Sequence, residues 1–187
     1  MHPWAIALAG AVLWVVPFAL VRARQKAPVT LDRGARWGVL LEGAGYTTLW
    51  QGSFWTRPAM PWQTAVAIAS FAAACALSWT AVPALGRYHR LDAALQSDHE
   101  LIRSGPYRFV RHPIYTSMLC VLLGTGTLIS PWYLLVPGLV LFLIGTEIRM
   151  GIEDRLLASR FGGGFEQYRR AVPRLIPFLK WWPCQSD

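Results

Sequence analysis

Charge is scarce in this sequence. Only 15% of its 187 residues are Asp, Glu, Lys or Arg, against roughly 25% in soluble globular chains. Acidic residues are the rarer sign, 10 against 18 Lys and Arg, so the formal net charge is +8. Cysteine is sparse too. Cys75, Cys120 and Cys184 show no CxxC or other metal spacing, and the first two fall in apolar runs, so neither a disulfide framework nor a metal site is expected. There is also no internal repeat and no low-complexity linker, which leaves one domain over residues 1–187. What fills the chain instead is apolar: 54% hydrophobic residues, ten of them Trp. That composition belongs to an integral membrane protein.

The expected fold class is all-α, a polytopic membrane protein with about five transmembrane helices and a cytoplasmic cofactor-binding cap. Five apolar windows suit a hydrocarbon core of roughly 30 Å. They run from Trp4 to Val21, Trp37 to Trp55, Trp62 to Leu85, Ile114 to Ser130 and Trp132 to Ile148. Glu42 and Gln51 dilute the second. Only Ser130-Pro131 parts the last two, which predicts a tight helical hairpin with Pro131 in the first turn of the following helix. Arg22, Arg24, Lys26, Arg33 and Arg36 flank the first connection, and Arg87, Arg90, Arg103, Arg108 and Arg111 fill the third. The second holds only Arg57, and seven more basic residues lie from Arg149 to Lys180. By the positive-inside rule the N-terminus is outside, and both basic loops and the tail are cytoplasmic. No Lys or Arg precedes the first window, which reads as an uncleaved N-out helix rather than a signal peptide. The net positive charge then reflects topology and contact with anionic lipids, not nucleic acid. No obligate protein partner is expected.

Two segments make up the cap. Residues 86–113 form the first; the second starts at Arg149, where Ile152, Leu156, Leu157 and Phe161 recur at helical spacing. Gly162-Gly163-Gly164 should end that helix. A short helix follows from Phe165 to about Val172-Pro173, and Ile176 to Trp182 reads as an interfacial anchor.

The segment from His99 to Tyr115 gathers two His, three Arg and two Tyr between apolar spans. Gly105-Pro106-Tyr107 signals a turn. Pro113 drives His112 out of the α region, so non-helical backbone should offer its N–H and C=O groups to a ligand. Taken singly, Gly-Pro is only a loop and Arg111-His112 only a basic flank.

The run His-x-Leu-Ile-x-x-Gly-Pro-Tyr-x-x-Val-Arg-His-Pro-x-Tyr over His99 to Tyr115 is followed by an apolar hairpin. Then come Arg149 with Glu153-Asp154, Phe161-Gly162, and Tyr168 to Arg174. This composite, covering roughly Asp98 to Phe178, resembles the isoprenylcysteine carboxyl methyltransferase family and its prokaryotic relatives. The resemblance implies a membrane transferase that uses S-adenosylmethionine from a cytoplasmic pocket and takes a lipidic substrate from the bilayer. It divides the chain into three N-terminal spans, 1–85, and a methyltransferase core, 86–187. Carried over residue by residue, it implies His99, Leu101, Gly105, Tyr107, Arg111, His112, Tyr115, Glu153 and Asp154 around the cofactor. Arg149 and Glu153 become the catalytic candidates, with Arg149 toward a substrate carboxylate. The second acid of the family's Glu pair is the shorter Asp154 here.

The chemistry suits these residue types. Tyr107 and Tyr115 can face a sulfonium cation or stack on adenine. Glu153 can pair with the cofactor ammonium, and His99, His112 or Arg111 with its carboxylate. Structural readings stand beside these. Arg149 can snorkel and complement a helix C-terminus, and Glu153 can be its i,i+4 partner. Glu42 and Glu147 are costly in a bilayer and suggest an interior cavity. Gly124-Thr125-Gly126 resembles a glycine motif of phospholipid methyltransferases, although small residues in a span also serve close packing. Three functions remain open: O-methylation of a lipidic carboxylate; N-methylation of a phospholipid amine or S-methylation of a thiol, the amine needing His99, His112 or Glu147 as base; and a non-enzymatic membrane scaffold.

Overall fold

With no water to satisfy it, an apolar chain segment in a bilayer must bond its own backbone, and the helix does so within one segment. The computed structural model describes residues 2–22, 30–31, 34–51, 58–86, 94–95 and 100–177. His99 and nearly all of the expected aromatic anchor lie outside them. The described helices are α1 (Pro3–Arg22), α2 (Ala35–Leu49), α3 (Pro61–Leu85), α4 (Pro113–Ile129), α5 (Trp132–Phe161) and α6 (Gly163–Ala171). Strands β1 (Thr30–Leu31) and β2 (Ala94–Leu95) pair antiparallel, Thr30 opposite Leu95. That pairing brings the first and third connections to one end of the bundle.

Three helices, α1, α3 and α5, are long and apolar enough to cross a membrane, and α4 is a shorter apolar helix. At about 1.5 Å per residue the 30 residues of α5 reach about 45 Å, well beyond the hydrocarbon core. Its charged residues Arg149, Glu153 and Asp154 lie in the C-terminal half of the helix, past its apolar stretch. The second expected span is corrected: α2 ends at Leu49, before Trp55. Its last turn closes on itself, with Thr47 and Thr48 hydroxyls donating to the Gly43 and Ala44 carbonyls and Trp50 N–H to Thr47 O at 3.1 Å. Pro131 stands one residue before α5 rather than inside its first turn.

Large apolar side chains face outward along the helices, among them Leu13, Leu40, Ile68, Val136 and Ile144. In water so large an apolar exterior would aggregate; against lipid it is the favourable surface. Small residues line the closest helix contacts, beside larger buried side chains such as Leu49, Leu122 and Phe142. Ala7, Ala67 and Ala74 pack with Phe71, Val121 and Leu128 where α1, α3 and α4 meet. Between α2 and α5, Gly38 faces Gly145 and Gly45 faces Gly138, seven residues apart on antiparallel helices. A Cβ on Gly38 would lie 2.6 Å from the Gly145 carbonyl, and one on Gly45 would lie 2.6 Å from that of Gly138. Only glycine permits that approach.

Polar side chains tie the helices together. Pro17 in α1 has no N–H for the Leu13 carbonyl one turn earlier, and Trp79 Nε1 of α3 donates to that oxygen at 3.0 Å. Ser130 Oγ at the hairpin donates to Leu49 O at 2.6 Å, so the C-terminus of α2 sits at the hairpin tip. Ala35 at its other end packs on Ile152. Thus α2 starts where α5 ends, beside the charged turns of α5.

Candidate functional site

Gly105-Pro106-Tyr107-Arg108 forms a single 3-10 turn. Gly105 holds φ +60, a conformation that strains any residue with a Cβ. The turn drives Tyr107 inward to 6% exposure, and the Tyr168 hydroxyl of α6 donates to the Tyr107 carbonyl at 2.6 Å.

Next in the chain, Pro113 starts α4 and keeps His112 non-helical at φ −122, ψ 62. The expectation that this backbone serves a ligand is corrected. Arg111 N–H donates to Pro173 O at 2.8 Å and His112 N–H to Arg174 O at 3.1 Å. Arg111 Nε donates to Val172 O at 3.2 Å, and Thr116 Oγ1 to Leu175 O at 2.5 Å. Four successive carbonyls, 172 to 175, are therefore held by the segment 111–116. Buried N–H groups must find acceptors, and the chain around Pro173, unable to continue α6, supplies them.

That strap brings its own charge. Arg174 donates to Glu147 through Nη1, and its Nε lies 3.2 Å from Asp154 Oδ2. Asp154 also accepts from Arg111 Nη1 at 2.8 Å and meets His112 Nε2 at 2.9 Å. His112 Nδ1 lies 3.4 Å from Glu153 Oε2, and the Tyr115 hydroxyl donates to Glu153 Oε1. Both ring nitrogens of His112 thus face carboxylates, an arrangement that suits the doubly protonated ring. Burial alone would lower the His112 pKa, but hydrogen bonds and charge from Asp154 and Glu153 outweigh it and raise the pKa above its usual value. The Tyr107 phenol is pushed up by burial and then by Glu153 and Tyr168, while burial raises Tyr168 to about 12 against the pull of Arg111 and Arg103.

One turn before Glu153, Arg149 points toward α2. Its Nη1 donates to Glu42 Oε2 at 2.6 Å, and Thr146 Oγ1 donates to Glu42 Oε1 at 3.0 Å. The guanidinium carbon sits 4.9 Å from the Tyr115 ring centroid. Glu42 is 3% and Arg149 6% exposed. Through Tyr115 this pair joins the cluster of Glu153, His112, Asp154, Arg111 and Arg174.

Most of the residues marked in the sequence therefore converge: Arg111, His112, Tyr115, Arg149, Glu153 and Asp154 share one network, and Tyr107 adjoins it through the field of Glu153. Leu101, half-buried, and Gly105, exposed, flank the turn outside that network. Two members escaped the sequence-derived site. Arg174 stood in the Tyr168 to Arg174 motif without a role, and Glu42 was marked only as a costly carboxylate in a span. Its spacing from Gly38 and Gly45 on one face of α2 is the signal that points it inward. Chemically, Glu153, 28% exposed at its side chain, lies beside aromatic rings and fixed cations. Such a set suits a small ligand that carries charge of both signs.

Comparison with known proteins bears on the same stretch. The model of the isoprenylcysteine carboxyl methyltransferase family matches residues 65–159. A protein-S-isoprenylcysteine O-methyltransferase of Schizosaccharomyces pombe is 34% identical over 110 residues, 51% of this chain and 46% of that protein. A cobalt-zinc-cadmium resistance protein, CzcN, of Cupriavidus metallidurans is 31% identical over 91 residues, 49% of this chain and 42% of that protein. The protein-S-isoprenylcysteine O-methyltransferase B of Arabidopsis thaliana is 28% identical over 103 residues, 54% and 52% of the two chains. The chain thus spans about half the length of the curated relatives it matches.

Proposed function

The chain belongs to the isoprenylcysteine carboxyl methyltransferase family, and from that premise we propose that it is a membrane methyltransferase using S-adenosylmethionine. Its acceptor is the carboxylate of an isoprenylcysteine-like or other lipidic molecule. The observation that carries the reading is the buried Arg149, stacked on Tyr115 one turn from Glu153 at the polar end of a helix that outruns the bilayer core.

The residues fit the cofactor by their chemistry. Glu153 and the Tyr107 and Tyr115 rings suit the sulfonium and ammonium charges, while His112 and Arg111, already paired with Asp154 and Glu153, hold those carboxylates in place. Bound there, S-adenosylmethionine supplies a methyl group activated by its sulfonium centre. Arg149 holds and orients the acceptor carboxylate by charge-assisted hydrogen bonds. Positioning of this kind contributes roughly 7 to 11 kcal/mol to such two-substrate reactions. The 172–175 strap is bonded to the 111–116 segment and adds the Arg174 cation beside Asp154.

A carboxylate acceptor needs no base, whereas an ammonium must first lose a proton. Of the three bases considered for an amine, His112 has both ring nitrogens against carboxylates and Glu147 is engaged by Arg174, while His99 lies outside the described residues. Carboxyl methylation is thus the reading favoured over phospholipid N-methylation. The basic residues of the first and third connections and of the stretch from Arg149 to Lys180 support a cytoplasmic site in contact with anionic lipids, with the N-terminus outside.

Two experiments test the proposal. Labelled methyl groups transferred to extracted lipids should be released by mild alkali as from an ester; alkali-stable label would point to an amine. Arg149→Ala should abolish transfer while cofactor binding, measured by calorimetry, persists.

A further inference from the structure

Glu42 lies outside the stretch matched by the family model, which begins at residue 65. A carboxylate 3% exposed in the middle of a mostly apolar helix is costly unless its charge is used. Here it is held at both oxygens, Oε1 by Thr146 at 3.0 Å and Oε2 by Arg149 at 2.6 Å. The backbone is shaped to deliver it. Gly38 lies four residues before Glu42 and Gly45 three after, on the same face of α2. A Cβ on Gly145 would come within 2.5 Å of Gly38 O and 3.0 Å of Glu42 N, so any larger residue would push α2, and Glu42 with it, away from Arg149. The Arg149 side chain itself packs across Gly38, and its guanidinium is set between Glu42 and the Tyr115 ring.

We infer that Glu42 is the positioning residue of the acceptor site: through its buried pair with Arg149 it fixes the plane of the guanidinium that receives the acceptor carboxylate, and so α2 sets acceptor affinity. This rests on the function proposed above. The guanidinium is a flat fork of donors, and its usefulness for a carboxylate depends on where that plane points. Glu42 and Thr146 determine that direction on the α2 side, and Tyr115 on the other. The cofactor cluster of Glu153, His112 and Asp154 holds itself together without Glu42.

The test uses the full-length protein in detergent or nanodiscs with N-acetyl-S-farnesylcysteine as acceptor probe. Glu42→Gln should raise the acceptor KM by on the order of 10- to 100-fold, the scale of a misplaced reacting group. The S-adenosylmethionine Kd should stay as in the parent protein. Glu42→Asp should recover part of the loss, and Thr146→Val, which leaves every charge in place, should raise the acceptor KM in the same direction by less. Should Glu42→Gln fail to fold, Thr146→Val decides alone. An unchanged acceptor KM, or equal losses of acceptor and cofactor affinity, overturns the inference. Acceptor binding in the presence of S-adenosylhomocysteine, measured without turnover, separates the two failures. Wild-type protein that binds the probe but transfers no methyl group contradicts the proposed function, while the Glu42→Gln comparison of probe affinity still decides the role of Glu42. Wild-type protein that binds the cofactor but not the probe overturns an isoprenylcysteine-like acceptor and this inference with it.

Discussion

His112 is the residue whose behaviour is most easily read from its surroundings. Both its nitrogens face acids, and its pKa is raised above the ordinary 6.5 despite burial. A folded pKa above the unfolded one means that stability from this group is fully present below about pH 6.5 and is lost as pH rises through the folded pKa. Thermal unfolding of wild type and His112→Gln should therefore show the widest gap in mildly acidic buffer and a narrowing gap above neutrality. A gap that stays constant with pH would contradict the account. Glu42 and Arg149 make a second test at this scale. Removing one partner of a buried ion pair costs about 3 to 5 kcal/mol, because the other charge is left stranded. Glu42→Leu should lose about that much unfolding free energy, and adding Arg149→Met should restore much of it, read from denaturation of the single and double variants.

Among the elements, the α2–α5 seam decides whether those two residues meet. Gly45→Ala places a methyl against the Gly138 carbonyl and the Phe142 backbone, an overpacking that should cost about 1 to 3 kcal/mol. Gly43→Ala meets nothing within 4 Å, so it should be neutral or stabilise α2 by about 0.5 to 1 kcal/mol. Melting temperatures of the two variants in one detergent check the contrast; equal shifts would mean the helices do not approach as closely as described. The sequence shows why these elements form but not all of their limits. Apolar length marked α1, α3 and α5, and Ser130-Pro131 marked the hairpin, since both are local signals. The early end of α2 was hidden, because Trp50, Phe54 and Trp55 keep the window aromatic past Leu49, where the helix stops with Trp50 as its C-cap. The partner of the Arg111 and His112 backbone was hidden too: an extended loop announces unsatisfied N–H groups without saying that a strap some 60 residues later fills them.

For the whole molecule, the charged cluster and the greasy exterior are two sides of one design. The described basic residues Arg111 and Arg174 lie against the charged turns of α5, and β1 pairs with β2 between the first and third connections. The convergence of Arg111, His112 and Tyr115 with Arg149, Glu153 and Asp154 was legible because these residues lie in two short motifs joined by a tight hairpin, which returns the chain to the same end of the bundle. What no local motif could show is the contribution of α2, which reaches the site only through tertiary contact over 107 residues of sequence. The central claim is that this cluster binds S-adenosylmethionine and that Arg149 serves the acceptor rather than the cofactor. Calorimetric titration of S-adenosylmethionine into purified wild-type protein and Arg149→Ala tests it most directly. Saturable one-to-one binding of similar affinity to both, with methyl transfer only in the wild type, is the predicted result; no binding to the wild-type protein would contradict it.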